Sequence, residues 1–175
     1  IFINTPHNPT GGIATEEDLK GIADLIRGKD IVVFADEPYD QMAWEGQHHS
    51  LLAQPDMLDQ CVSCYTFSKS FSMSGWRLGY AVSSERIINM IAKLTNSTLS
   101  CIPPFVQIAG AAALNKDRSQ RDEYMAEFKE RTVSLATKLN QLDGVNCLIP
   151  GGTFYVFPNV AEICNRHGIT SHGLA

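Results

Sequence analysis

Three short polar clusters carry most of the chemistry this chain could perform: Asn8 within NPTGG, Asp36 and Tyr39 within ADEPY, and Thr66, Ser68, Lys69 and Arg77 within YTFSKSFSMSGWRLGY. Each follows a short apolar run. Lys69 sits between Phe67 and Phe71, where burial would depress its pKa and ready the amine as a nucleophile toward an aldehyde. Asp36 could pair with a ring nitrogen and hold its proton, because an opposite charge in a low-dielectric site favours the charged form. Tyr39 and Asn8 could both donate to a ring oxygen. Arg77 carries a permanent charge and a planar fork suited to phosphate, with Thr66 and Ser68 as hydroxyl donors.

Each residue also has a plainer reading. Asp36 could cap a helix or a turn, Tyr39 could pack as a core aromatic, and a surface position is the default for any lysine. Asn8, between two prolines in TPHNPTGG, could serve its own backbone in a tight turn. Five residue types in this order at strand ends are harder to derive from packing. Together they match the needs of pyridoxal 5′-phosphate: an amine for the aldehyde, an acid for the pyridine nitrogen, donors for the ring oxygen and a cation for the phosphate. A protonated ring of this kind is the electron sink on which carbanion chemistry depends.

The elements that must position these groups follow from periodicity. Apolar runs alternate with amphipathic stretches, which predicts an α/β fold: a mixed, mostly parallel sheet covered by helices. IFIN at the start reads as a buried strand, and IVVFA at 31–35 as a strand covered on both faces. CVSCYTF at 61–67 and LGYAVS at 78–83 read as two more. Ligands of open α/β sheets lie at C-terminal strand ends, where Asp36 and Lys69 both fall.

Thr15 with Asp18 three residues on predicts a capped helix bearing Leu19, Ile22, Ala23 and Ile26, ended by Gly28. Further helices are expected over about 85–96 and from Pro103 and Pro104 into FVQIAGAAAL. A long one is expected over 117–142, with Tyr124, Phe128, Leu135, Leu139 and Leu142 apolar. At 1.5 Å per residue it would run about 40 Å, enough to cross between domains. After Gly144, VNCLI and TFYVF read as short strands. His48 and His49 read as solvated loop residues, and Trp44 and Trp76 as packing residues.

Composition excludes several classes. The 175 residues, 44% hydrophobic and 19% charged, can bury roughly 70% of the unfolded surface as an ordinary globular chain. A net charge of −5 without a Lys/Arg run argues against nucleic acid or an anionic membrane as partner. No apolar stretch approaches the roughly 20 residues of a bilayer span, and IFINTPHNPT lacks the regions of a secretory signal, so a cytoplasmic protein with small diffusible substrates is expected. The five cysteines are odd in number and scattered, unlike a disulfide framework. Cys61 and Cys64 form a CxxC, but residues three apart on a strand face opposite ways, which disfavours a metal site. The chain opens on Ile1 within a strand and without an initiator Met, and so reads as a piece of a longer protein.

In order and spacing, NPTGG, ADEPY and SKSFSMSGWRLGY resemble the class I/II aminotransferases, fold-type I enzymes that use pyridoxal phosphate. PGGTFY at 150–155 resembles a segment of their C-terminal domain. The resemblance covers nearly the whole chain. It implies that Lys69 forms the internal aldimine and shuttles the proton between Cα and C4′. It further implies that Asp36 pairs with the pyridine nitrogen, that Asn8 and Tyr39 bond the 3′ oxygen, and that Arg77 binds the phosphate with Ser68 and Thr66. The family usually has Ser where Thr66 stands, and the hydroxyl is kept.

The same resemblance implies the second half of a cofactor-binding large domain over 1–133 and the beginning of a small α+β C-terminal domain over 134–175. It also implies ping-pong amino transfer from an L-amino acid to a 2-oxo acid, and a homodimer in the full-length protein. The loop TNSTLSCIPP is the candidate contributor to the partner's site. The family's Gly-rich phosphate turn, stacking aromatic and substrate-carboxylate Arg have no counterpart among these residues, so the fragment alone is expected to be inactive. A β-lyase of the C–S lyase type, or an aminotransferase-like sensor domain of a transcriptional regulator, would use the same residues.

Overall fold

The computed structural model describes residues 1–175. Strands β1 (Phe2–Asn4), β2 (Val33–Asp36), β3 (Cys61–Thr66) and β4 (Gly79–Val82) form one sheet in the order β1-β2-β3-β4. The first three run parallel, and β4 returns antiparallel against β3, giving the mixed, mostly parallel sheet that the alternation predicts. Register pairs Asn4 with Asp36 and Asp36 with Cys64, and Thr66 with Gly79.

Helix α1 (Glu16–Ile26) links β1 to β2. Its N-terminus is a reciprocal capping box: the Asp18 amide donates to Thr15 Oγ1 at 3.1 Å, and the Thr15 amide donates to the Asp18 carboxylate at 2.9 Å. Such a cap contributes about 1 kcal/mol. Leu19, Ala23 and Ile26 bury against Val33, Ala35, Leu51, Met57 and Cys61 to form the principal core. Gly28 takes a φ of +74° just beyond the helix, as a C-terminal glycine can without strain.

Helix α1 packs on one face of the sheet: Val33 and Ala35 point into the core, while in this chain Phe2 and Phe34 are 65% and 45% exposed on the other face.

Helices α2 (Glu85–Thr98) and α3 (Pro104–Asn115) follow β4. The small residues of α3 permit close seating: a Cβ on Gly110 would meet Leu78 Cδ2 at 2.4 Å and Phe67 at 3.2 Å. Phe67, Met73, Leu78 and Val106 thus form a second core beneath the turn that carries Lys69. Helix α4 (Ser119–Leu139) is 21 residues long, about 32 Å, and shorter than its pattern suggests. Beyond it the Asn140 side chain folds back on the chain, donating to the Cys147 carbonyl at 2.6 Å and accepting the Cys147 amide at 2.8 Å.

The buried stripe of α4 is Met125, Thr132 and Ala136 with Phe128 half-buried, whereas Tyr124 and Leu135 are exposed. The offset arises because Thr132 hides its hydroxyl by donating to the Phe128 carbonyl at 2.7 Å, and so lies on the apolar face despite its polarity.

VNCLI and TFYVF are not strands. VNCLI makes one isolated antiparallel bridge, Asn146 with Asn159, and TFYVF makes none, although Gly152 just before it bridges Ala43. The chain continues through α5 (Ala161–His167) and α6 (Ser171–Leu174). Trp44 packs as expected, its indole donating to the Thr153 carbonyl at 2.6 Å, but Trp76 is 47% exposed. No helix is long and apolar enough to cross a membrane.

Candidate active site

Asn4, Asp36 and Thr66 end the three parallel strands, so the register itself lines them along one edge. Asn4 ties two of the polar clusters together. Its Nδ2 donates to the Asp36 carbonyl at 2.8 Å, and its Oδ1 accepts the Asn8 amide at 2.8 Å. The turn that follows is closed by the Gly11 amide to the His7 carbonyl and the His7 amide to the Gly12 carbonyl, both at 2.8 Å.

Two glycine turns far apart in sequence then interlock. Gly11 has a φ of +71°, and a Cβ there would stand 2.3 Å from Pro150 Cβ; one on Gly152 would stand 2.5 Å from the Met42 carbonyl oxygen. Main-chain bonds join the same pieces: Gly152 to the Gly11 carbonyl at 3.0 Å, Trp44 to the Gly151 carbonyl at 2.6 Å and Thr153 to the Met42 carbonyl at 2.9 Å. Thr153 is fully buried at a φ of 64°, an outlier for a β-branched residue, which at about 1–3 kcal/mol persists only where its surroundings hold it. The result lays Phe154 and Tyr155 onto Tyr39.

The reactive cluster lies there. Tyr39 and Tyr155 place their hydroxyl oxygens 2.9 Å apart, and Asn8 Nδ2 is 3.5 Å from the Tyr155 oxygen. Lys69 Nζ lies 5.5 Å from the Tyr39 ring centroid and 5.4 Å from that of Phe154, within range of a cation–π contact. Burial pushes the Tyr39 phenol well above its usual range. Asp36 stands close enough for its charge to act on Tyr39, and its carboxylate makes no hydrogen bond or ion pair. Burial, and after it the charge of Glu37, raise the Asp36 pKa.

The Lys69 turn is held by its own main chain, with the Phe67 amide on the Leu78 carbonyl and the Met73 amide on the Phe67 carbonyl, each at 3.1 Å. Thr66 Oγ1 accepts the Ser68 amide at 3.1 Å and donates to the Leu78 carbonyl at 3.4 Å. Arg77 takes the left-handed conformation, φ 53° and ψ 45°. Its guanidinium is exposed and bonds only the Ser74 carbonyl, at 2.8 Å.

Asn8, Tyr39 and Lys69 therefore share one cluster of contacts. Asp36 and Thr66 end neighbouring strands on the same end of the sheet, and Ser68 and Arg77 lie in the connection between β3 and β4. A cavity of about 770 Å³ beside Phe157 and Cys164 contains none of these groups; convergence of side chains marks this site rather than concavity. Its donor set is unspent: an amine and a guanidinium without carboxylate partners, and an acid without a cation. Those are the groups a phosphorylated aromatic aldehyde would satisfy.

Several contributors escape a reading of the sequence. Phe154 and Tyr155 reach the site only through the glycine interlock. Asn4 leaves a faint signal, a polar residue closing an apolar run. His48 is not a solvated loop residue: it is 12% exposed and bonds through Nε2 at 2.5 Å to Glu37, which is fully buried. Ser50 at 2.7 Å and Tyr65 at 3.1 Å also donate to the Glu37 carboxylate, the compensation a buried charge requires. This network faces away from Asp36 and joins β2 to β3 and to the 3-10 turn Leu51–Ala53. Cys61 lies in the core, while Cys64, half-buried, pairs with Asp36 on the other face.

Known proteins resemble this chain in sequence and in fold. The chain matches the family described as Aminotransferase class I and II over residues 1–169. It is 36% identical over 170 residues to the aspartate aminotransferase of Bacillus subtilis, covering 96% of this chain and 43% of that protein. It is 37% identical over 171 residues to the aspartate aminotransferase of Thermotoga maritima, covering 95% and 44%. Among solved structures, an aromatic aminotransferase from Pyrococcus horikoshii aligns with a TM-score of 0.84 at 34% identity, over 90% of this chain and 43% of that one. An aspartate aminotransferase from Rhizobium meliloti aligns with a TM-score of 0.87 at 27% identity, over 93% and 41%. The chain thus spans between 41% and 44% of the length of these relatives. A family match over all but the last six residues, with relatives 36% and 37% identical over nearly the whole chain, makes this chain a member of the class I and II aminotransferases.

Proposed function

We propose that these residues form the cofactor-binding core of a pyridoxal phosphate-dependent transaminase, which moves an amino group from an L-amino acid to a 2-oxo acid in two half-reactions at one site. The observation that carries the reading is the cluster in which Lys69 Nζ faces Tyr39 and Phe154 while Tyr39, Tyr155 and Asn8 meet beside the unpaired Asp36. When bound, pyridoxal phosphate supplies an aldehyde and a ring that delocalises a carbanion. Asn8, Asp36, Tyr39, Thr66, Ser68, Lys69 and Arg77 would hold it.

Lys69, set against two aromatic faces and free of any carboxylate, supplies the nucleophilic amine and afterwards carries the proton at the substrate Cα. Asp36 has no competing partner, so its charge is available to keep a proton on a pyridine nitrogen. Arg77 offers a guanidinium, and Thr66 and Ser68 offer hydroxyls, to a phosphate. Asn8 and Tyr39 serve the ring oxygen.

The relatives named aspartate and aromatic aminotransferases support amino-acid and 2-oxo acid substrates. We extend the proposal to residues 1–133 as part of a large domain, 134–175 as the start of a small one, a homodimer of the whole protein and a cytosolic setting. The test is a half-reaction of the whole protein charged with pyridoxal phosphate. Addition of an amino donor should accumulate pyridoxamine phosphate in wild type and not in Lys69→Ala. Release of ammonia and pyruvate instead would transfer the reading to a β-lyase.

A further inference from the structure

Resting on that cofactor reading, we infer that Glu37 and His48 are positioning residues for Asp36: a buried ion pair, set on the opposite face of the strand, whose balance of charge decides how firmly Asp36 keeps its own charge for the pyridine nitrogen. Asp36 and Glu37 are consecutive where β2 ends, so strand alternation sends their side chains to opposite faces. Both are fixed to neighbouring strands. The Asp36 carbonyl accepts Asn4 Nδ2 at 2.8 Å, and the Glu37 amide donates to the Cys64 carbonyl at 2.9 Å.

Glu37 is fully buried, and its two carboxylate oxygens meet Ser50 Oγ at 2.7 Å, Tyr65 Oη at 3.1 Å and His48 Nε2 at 2.5 Å. Donors converging in this way favour the ionised carboxylate, and a buried charge requires an opposite one. No Lys or Arg pairs with Glu37, nor with Asp40, whose carboxylate lies within electrostatic reach of His48. The other titratable groups around Glu37 are Tyr65, Tyr80, Cys61 and Cys64, and burial raises the pKa of each, which keeps them neutral. His48 is the side chain left to carry the counter-charge.

On the other face, the titratable groups beside Asp36 are Tyr39 and Cys64, and neither offers a positive charge. The charge of Glu37 therefore reaches Asp36 from behind the strand, through surroundings that screen it weakly. After burial it is the cause that raises the Asp36 pKa. His48 offsets it. Both residues act on the ring nitrogen only through Asp36, without touching cofactor or substrate.

The experiment measures retention of pyridoxal phosphate by the whole protein, in equilibrium dialysis across pH, for wild type, His48→Gln, Glu37→Gln and the double variant, with melting curves to confirm folding. Gln keeps a hydrogen-bonding side chain at either position and removes the charge. Retention falls on the acid side as Asp36 takes up a proton and ceases to pair with a pyridinium. His48→Gln leaves Glu37 without its counter-charge, so this fall should move to higher pH. Glu37→Gln should move it to lower pH, and the double variant should fall at lower pH than His48→Gln, since no Glu37 charge is then left to offset. Single variants that fail to move the fall in opposite directions would overturn the inference, a shared direction being the mark of a merely structural role. Should His48→Gln not fold, Glu37→Gln decides alone, and an unmoved or raised fall would overturn the inference. These outcomes leave the cofactor reading intact, whereas wild type that binds no cofactor through Lys69 would overturn both.

Discussion

At the scale of single residues, Asp36 shows how function is set against stability. Its carboxylate ends β2 unpaired, and burial with the adjacent Glu37 charge holds its pKa above the ordinary 3.8. The folded chain therefore binds this proton more tightly than the unfolded one. Its contribution to stability is fully present below the ordinary value and is lost as pH rises through the raised one. Without cofactor, Asp36→Asn is expected to flatten the pH dependence of the melting temperature and to melt above wild type on the alkaline side of that window, while pyridoxal phosphate retention falls by about tenfold or more. A variant that melts below wild type there would contradict this account. Asn8, Asp36, Tyr39 and Lys69 stand out as candidates in the sequence because each sits in a short motif whose chemistry is local. Tyr155 and His48 were not, because their partners, Tyr39 and Glu37, are reached only through the fold.

Among elements, the contact between the two glycine turns decides whether the site is assembled. Gly11 lies at positive φ against Pro150, and Gly152 against the Met42 carbonyl, so neither position has room for a side chain. Gly11→Ala is expected to destabilise the chain by at least about 2 kcal/mol, from left-handed strain plus displacement of Pro150. Chemical denaturation would report the loss, and an unchanged midpoint would show that the interlock is slack. Helix α1 was readable to within a residue because its cap and its apolar stripe are both local signals. Helix α4 was misread in length and face because Asn140 ends its last turn from the side, and Thr132 conceals a hydroxyl on the buried stripe. VNCLI and TFYVF carry strand-like composition, yet the main-chain groups around Pro150 are committed to the interlock rather than to a ladder.

At the scale of the whole chain, the ends of the parallel strands frame the candidate site. Three strands end together at Asn4, Asp36 and Thr66, α3 clamps the Lys69 turn from below through Gly110, and α4 seats Met125 against Tyr39, Met42 and Trp44. The sheet's other face carries Phe2 and Phe34 in the open in this chain. The most direct measurement is borohydride reduction of the protein with pyridoxal phosphate, followed by peptide mass spectrometry. A single phosphopyridoxyl group on Lys69, diminished in Asp36→Ala and in Arg77→Ala, is the predicted result. Labelling spread over surface lysines and indifferent to those two substitutions would contradict it.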